Sequence, residues 1–249
     1  MKTAALVVVG LMTGFAFLAL SNSRSVLAQQ NSSGGQSAET LPTDIHPETL
    51  SRATRVKRED FTTDEEKQAY DRIMGLMPKQ SASTWLGPTG TRLRIPEVAE
   101  IDHEELTVLR QKSGVDPKYI ELTIAVATRE TDNRDEFLNH EADAIKVLGP
   151  KVEDIVRLRQ DPNGLEEKEV AIIRFGRELF HQPIVSSKAF ADLERNFGKK
   201  GALGITLIMC HYDSNGLLMR AYDQHMDKRS ECVTPHSGCV NPAHPLPSW

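Results

Sequence analysis

Residues 116–128 read DPKYIELTIAVAT. Asp116 is a preferred helix N-cap, and Pro117 suits the first helical position, where a missing N–H costs nothing. From Tyr119 to Thr128 the run is strongly apolar, with Glu121 its only charge. Such a stretch is expected as a central helix, covered by its neighbours. Helical signals continue on both sides of it. Downstream, 134–148 is amphipathic and stopped by Gly149-Pro150. A short helix over 152–159 ends at Asp161-Pro162-Asn163-Gly164, and 166–181 follows with Val170, Ile173, Phe175, Leu179 and Phe180 on its apolar side. Ser186-Ser187 caps a helix through Phe197 that Gly198 closes. A last helix, 201–226, is apolar at first and more polar later.

Upstream, Pro96 opens a helix running to about Lys112, and 88–90 is expected as a turn. Thr62-Thr63-Asp64-Glu65-Glu66 gives a cap and an acidic first turn ahead of Tyr70, Ile73, Met74 and Met77 at helical spacing. Alternating strand patterns are absent and the loops are short. The fold class is therefore all-α, a helical bundle forming a single domain.

The chain has 249 residues, 30 basic and 35 acidic, a net charge of −5 and 3 cysteines. That length suits one domain of ordinary size. Mild acidity argues against nucleic acid as a partner, and three cysteines cannot staple a disulfide scaffold. Residues 1–28 read as a signal peptide. Lys2 is a basic start, 4–20 carry no charge, and Val26-Leu27-Ala28 ends small enough for signal peptidase. Cleavage after Ala28 removes Lys2 and Arg24 and takes the net charge from −5 to −7. The same stretch also reads as an uncleaved anchor, its uncharged run being near the lower limit for a spanning helix. Either way the rest works outside the cytoplasm, periplasmic or secreted, with no stable membrane span after cleavage. Residues 29–46 are polar and rich in Ser, Gly and Gln, a disordered linker. The helical domain is 47–229, and 230–249, with four prolines, is an irregular tail.

Within 121–140, ELTIAVATRETDNRDEFLNH, Glu136 and His140 are four apart, so on a helix they point about 40° from one another. Asn133, seven before His140, falls within about 20° of the same direction. Glu121 lies on the preceding apolar helix, where an acid is out of place without a partner. A carboxylate beside an imidazole sets histidine's tautomer and basicity. The four residues together suit a small proton-transfer site. The same Glu and His also read as a solvated surface pair worth a few tenths of a kcal/mol. As metal ligands Glu121, Glu136 and His140 lack any H-x-x-x-H or E-x-x-H pair, so no metal is expected.

The spacing Glu121–x11–Asn133–x2–Glu136–x3–His140 resembles the alkyl hydroperoxidase D motif, in which Asn133 and Glu136 stand where that motif has its two cysteines. With Glu136-Phe137-Leu138-Asn139-His140-Glu141-Ala142, it is similar to the carboxymuconolactone decarboxylase-like branch of that superfamily. The resemblance extends over about 47–227 and takes in Trp85-Leu86-Gly87-Pro88 and Ile95-Pro96-Glu97. It implies an alkyl hydroperoxidase D-like helical bundle and a homotrimer or homohexamer. It further implies a lyase or isomerase without cofactor that acts on a small-molecule substrate, a carboxylated compound or lactone. His140 would be the general acid/base, with Glu121 or Glu136 orienting it, and Asn133 would line the site. Arg129 or Arg134 would hold a substrate carboxylate, unless both are solvated surface charges. His211 and Tyr212 fall where the family's final helix carries pocket-lining aromatic residues. Asn133 and Glu136 can neither attack a peroxide nor resolve a sulfenic acid, which removes thiol peroxidase chemistry from this motif. Export argues against the cytoplasmic pathway enzyme itself, so another substrate, or a binding or assembly role without catalysis, stays open.

Cys210 sits in an apolar run and reads as a buried structural thiol. Cys232 and Cys239 are seven apart in the exported tail, where a local disulfide is the first reading. With His236 and His244 the same residues offer a zinc-binding alternative.

Overall fold

The structure, a computed structural model, describes residues 42–77 and 86–224. The signal peptide, most of the linker, Trp85, the tail and the pair Cys232 and Cys239 lie outside the described residues. Eight α-helices are present among them: α1 (Asp64–Leu76), α2 (Gly87–Arg92), α3 (Pro96–Lys112), α4 (Pro117–Glu130), α5 (Arg134–Leu148), α6 (Pro150–Arg157), α7 (Glu167–His181) and α8 (Ser187–Ala221). The described residues contain no strand, only an isolated bridge between His46 and Ser51. The fold is all-α.

Local chemistry explains where the helices start. Thr63 accepts from the Glu66 N–H while Glu66 accepts from the Thr63 N–H, a capping box that opens α1. Asp116 accepts from the Lys118 N–H at 2.9 Å, with Pro117 in the first turn of α4. Pro150 begins α6 directly after Gly149, whose φ of 83° ends α5.

Helix α4 is the centre. Every residue from Leu122 to Glu130 is buried, because α5, α6, α7 and α8 all pack on it. The main core joins Leu122, Ile124 and Val126 to Phe137, Ile172, Ile173, Ile205 and Ile208. Each such side chain contributes about 1.5–3 kcal/mol relative to exposure. A second, smaller cluster of Ile73, Leu93 and Ala99 joins α1 and α3 to the segment between α2 and α3. At the C-terminal end of α4 the buried Glu130 carboxylate accepts from Arg159 at 3.2 Å and Arg177 at 3.1 Å. His181 Nε2 lies 3.0 Å from it. Burying an acid is tolerable only with such partners.

Three sequence expectations change. Residues 88–90 belong to helix α2 rather than a turn, since Pro88 can start a helix as readily as a bend and α2 packs on α3 and α8. Gly198 (φ 66°, ψ 171°) is non-helical and separates α8 into two helical parts, as the sequence indicates, but the second part ends at Ala221 rather than 226. Ile45 is buried, so packed structure begins within the segment read as linker. No helix among the described residues is long and apolar enough to cross a membrane.

Candidate active site

Helices α4 and α5 form an antiparallel pair joined by a three-residue turn, and this brings Glu121 opposite His140. His140 Nδ1 lies 3.1 Å from Glu121 Oε2. Its other nitrogen, Nε2, is 3.7 Å from Glu136 Oε2 and 3.4 Å from the Tyr212 hydroxyl of α8. Arg110 of α3 donates to Glu121 Oε1 at 3.0 Å and to the Tyr212 hydroxyl at 3.1 Å. Four helices thus each contribute to one cluster around a single imidazole. Tyr212 also packs edge-on against the His140 ring, with centroids 5.3 Å apart.

The electrostatics follow from burial and charge. Burial alone would raise Glu121, but His140 and Arg110 outweigh it and hold the carboxyl below its ordinary value. Glu136 is pushed upward, first by complete burial and further by Asp135, against the opposing pull of His140, Arg92 and Arg110. Burial also raises the Tyr212 hydroxyl, so it stays protonated. A carboxylate can only accept, so Glu121 selects the imidazole tautomer with its proton on Nδ1. Nε2 is then the basic atom, facing the Tyr212 hydroxyl and the Glu136 carboxyl group, whose burial favours its neutral form. Such an arrangement can take up a proton at Nε2 and return one to a substrate atom. Arg110, with 35% of its side chain exposed against 16% for His140, marks the side that opens to water.

Not every residue expected here arrives. Asn133 is the N-cap of α5, with φ −85° and ψ 78°, and its side chain accepts from the Glu136 N–H. Being outside the helix, it does not follow the seven-residue spacing, and its amide packs against Gly216 of α8. Arg129 is buried and donates to the Arg157 carbonyl at 2.7 Å, on α6. Eight residues on from Glu121, it points about 80° round the helix. Arg134 lines a separate cleft of about 170 Å³ with Asp132, Asp135 and Arg220. His211 is buried next to Tyr212 but turns to α3, 3.8 Å from Asp102 and 3.6 Å from Glu105. Tyr212, its neighbour, is the residue that meets His140.

Two arginines were missed. Arg110 carried only a weak signal, a charge one position after the buried Leu109. Arg92, the last residue of α2, has its Nε 3.3 Å from Asp102, while its buried Nη1 meets no acceptor. Burial lowers its pKa, and Glu136 is among the charges that act on it. Among the described residues, no group of three or more His, Cys, Asp or Glu side chains comes together as a metal site. Cys210 is exposed rather than buried. Its thiol is held above the ordinary value by partial burial and by Asp213 and Glu105, unlike the low-pKa thiolate that peroxide attack requires.

No family model, curated protein or solved structure matches the chain.

Proposed function

We propose that the chain is an exported, carboxymuconolactone decarboxylase-like lyase or isomerase that works by general acid/base chemistry on a small carboxylated or lactone substrate. The observation that carries this reading is the convergence of Glu121, Glu136 and Tyr212 on the two nitrogens of His140. In the decarboxylating form, the bond between the substrate carbon and its carboxylate breaks and carbon dioxide leaves. The electron pair stays on that carbon, conjugated with the lactone carbonyl, and His140 delivers a proton to it. Glu136, whose burial favours the protonated acid, gives Nε2 the proton that His140 then passes to the carbon. A solvent proton entering at the open side reprotonates Glu136, one proton being consumed per turnover. Arg110 is the guanidinium placed to meet a second carboxylate at the open side, the role first expected of Arg129 or Arg134.

A thermal-shift screen of small lactones and carboxylic acids on wild type and His140→Ala tests the reading. Ligands that shift the wild type should fail to shift the variant, and a turned-over hit should lose about 10²–10⁴-fold in rate on substitution. Equal shifts in both proteins for every hit would reject the site.

A further inference from the structure

Tyr212 of α8 is 3% exposed, and a hydroxyl buried that far normally has a good acceptor for its proton. Its oxygen accepts from Arg110 Nη2 at 3.1 Å. Among the described residues the acceptor within reach of its proton is His140 Nε2, 3.4 Å away. An O–H donor bonds best at about 2.7–2.8 Å. The hydroxyl is therefore a fixed donor left nearly uncommitted, beside the atom that moves the proton in the proposed chemistry. Accepting from a guanidinium polarises it and makes it a stronger donor in turn. Burial keeps its own proton in place, so it offers a hydrogen bond rather than an acid. Edge contacts with two imidazoles hold the ring, the centroids of His140 and His211 lying 5.3 and 5.5 Å from its own. A donor held in this way needs no reorganisation at the moment of reaction.

We infer that Tyr212 is a further catalytic residue of this site: its hydroxyl donates to the substrate's carbonyl oxygen as that oxygen becomes an enolate, while His140 Nε2 delivers the proton to the adjacent carbon. The inference rests on the acid/base reading and narrows its substrate class to compounds whose reacting carbon is bonded directly to a carbonyl carbon. Bond lengths put the carbon and the oxygen of an enolate about 2.4 Å apart, on either side of the carbonyl carbon. Two donors 3.4 Å apart match that spacing, each standing about 3 Å from its own atom. In the decarboxylating form the bond to the leaving carboxylate breaks and carbon dioxide departs uncharged. The electron pair passes into the enolate, whose oxygen gains the charge and the Tyr212 hydrogen bond. The pair then returns to the carbon, which takes the Nε2 proton, and the carbonyl re-forms. Tyr212 keeps its proton throughout. In an isomerisation the carbon first gives its own proton to Nε2, and the same enolate follows.

Two probes separate this role from a packing role. Tetronate is a five-membered lactone whose enol is ionised at neutral pH, and γ-butyrolactone is a like ring without the enolate charge. Both are titrated calorimetrically into wild type, Tyr212→Phe and His140→Ala. Tyr212→Phe keeps the ring and its contacts and removes only the donor. It should weaken tetronate by about 10–100-fold, the loss of one hydrogen bond to a charged group, and leave γ-butyrolactone as it was. For a substrate found in the lactone screen, kcat should fall about 10²–10³-fold with KM little changed. Tetronate bound equally by wild type and Tyr212→Phe, or by neither, would overturn the inference, while the lactone screen still judges the acid/base reading. So would an equal loss of both probes, since Tyr212 would then only shape the pocket. Tetronate weakened by Tyr212→Phe but not by His140→Ala would instead reject the acid/base reading on which the inference rests. If Tyr212→Phe does not fold, tetronate labelled with ¹³C at its carbonyl decides on the wild type. Its resonance should move downfield on binding, and an unmoved resonance would overturn the inference.

Discussion

Around His140 the pKa values of two glutamates of the same chemistry are driven in opposite directions. Glu121 gains more from His140 and Arg110 than it loses by burial, so it is held ionised. Glu136 differs only in its surroundings: it is fully enclosed and is driven toward the neutral acid. Pairs of titratable groups pushed apart in this way are the usual basis of acid and base roles at one site. The arrangement has a consequence that needs no substrate. When the His140 ring is neutral, ¹⁵N NMR should show its one proton on Nδ1, facing Glu121. Glu121→Gln replaces an obligate acceptor by an amide that can also donate, so the ring should become a mixture of tautomers. Glu121→Asp should keep the Nδ1–H form to the extent that the shorter acid still reaches. A wild-type ring with its proton on Nε2 would remove the basis of the proposed chemistry. Arg110 enters the same measurement, because it holds both Glu121 and the Tyr212 hydroxyl. Its loss should disturb the ring's surroundings without altering which acceptor Nδ1 faces.

Between helices, the site depends on how closely α4, α7 and α8 approach. Gly176 of α7 sits where a Cβ would run into Val126 of α4 and stand 2.9 Å from Met209 Cε of α8. Alanine would gain about 1 kcal/mol of helix propensity, but overpacking a filled core costs about 1–3 kcal/mol. Val126 is β-branched and fully buried, with no room to turn aside, so the clash should win. Gly176→Ala is expected to lower the melting temperature, and Met209→Ala to recover part of the loss by clearing one of the two obstacles. A melting temperature at or above wild type in Gly176→Ala would contradict this packing. The helices themselves were legible because their signals are local: Thr63 with Glu66, Asp116 with Pro117, Gly149 with Pro150. Both Glu121 and His140 could be picked out because an acid in an apolar helix and a His four after a Glu are visible in one dimension. Arg110 and Arg92 were not, since their positions come from α2 and α3 packing on α8, far along the chain. Asn133 misled because a helical wheel presumes helix, and the residue is the cap. Cys210 misled for a different reason: its apolar neighbours lie on both faces of α8, so sequence alone could not say which face looks out.

Across the whole domain, buried carboxyl groups set how stability varies with pH. Glu121, depressed in the folded state, contributes stability that is present above its ordinary value of 4.5 and lost as pH falls through the lowered one. Glu153 of α6 acts in the opposite sense. Burial, then the neighbouring Glu141 and Asp154, outweigh Arg157 and push it up from 4.5 to about 8. Its contribution is complete below 4.5 and is lost progressively as pH rises to about 8. Glu136, also raised, adds to the same alkaline loss. The melting temperature should therefore peak at about pH 5 and fall toward about pH 9, although the net charge is negative over most of that range. Glu153→Gln keeps the shape and hydrogen-bonding capacity of the neutral acid but cannot ionise. It should match wild type near the peak and exceed it on the alkaline side, each kcal/mol recovered being worth about 2–4 °C in a domain of this size. Part of the alkaline decline should survive in that variant, because Glu136 still has to lose its proton in the core. Melting curves recorded across this range for both proteins decide the matter: parallel profiles from about pH 5 to about pH 9 would mean that Glu153 is ionised in the folded chain and that Arg157, not Glu141, governs it.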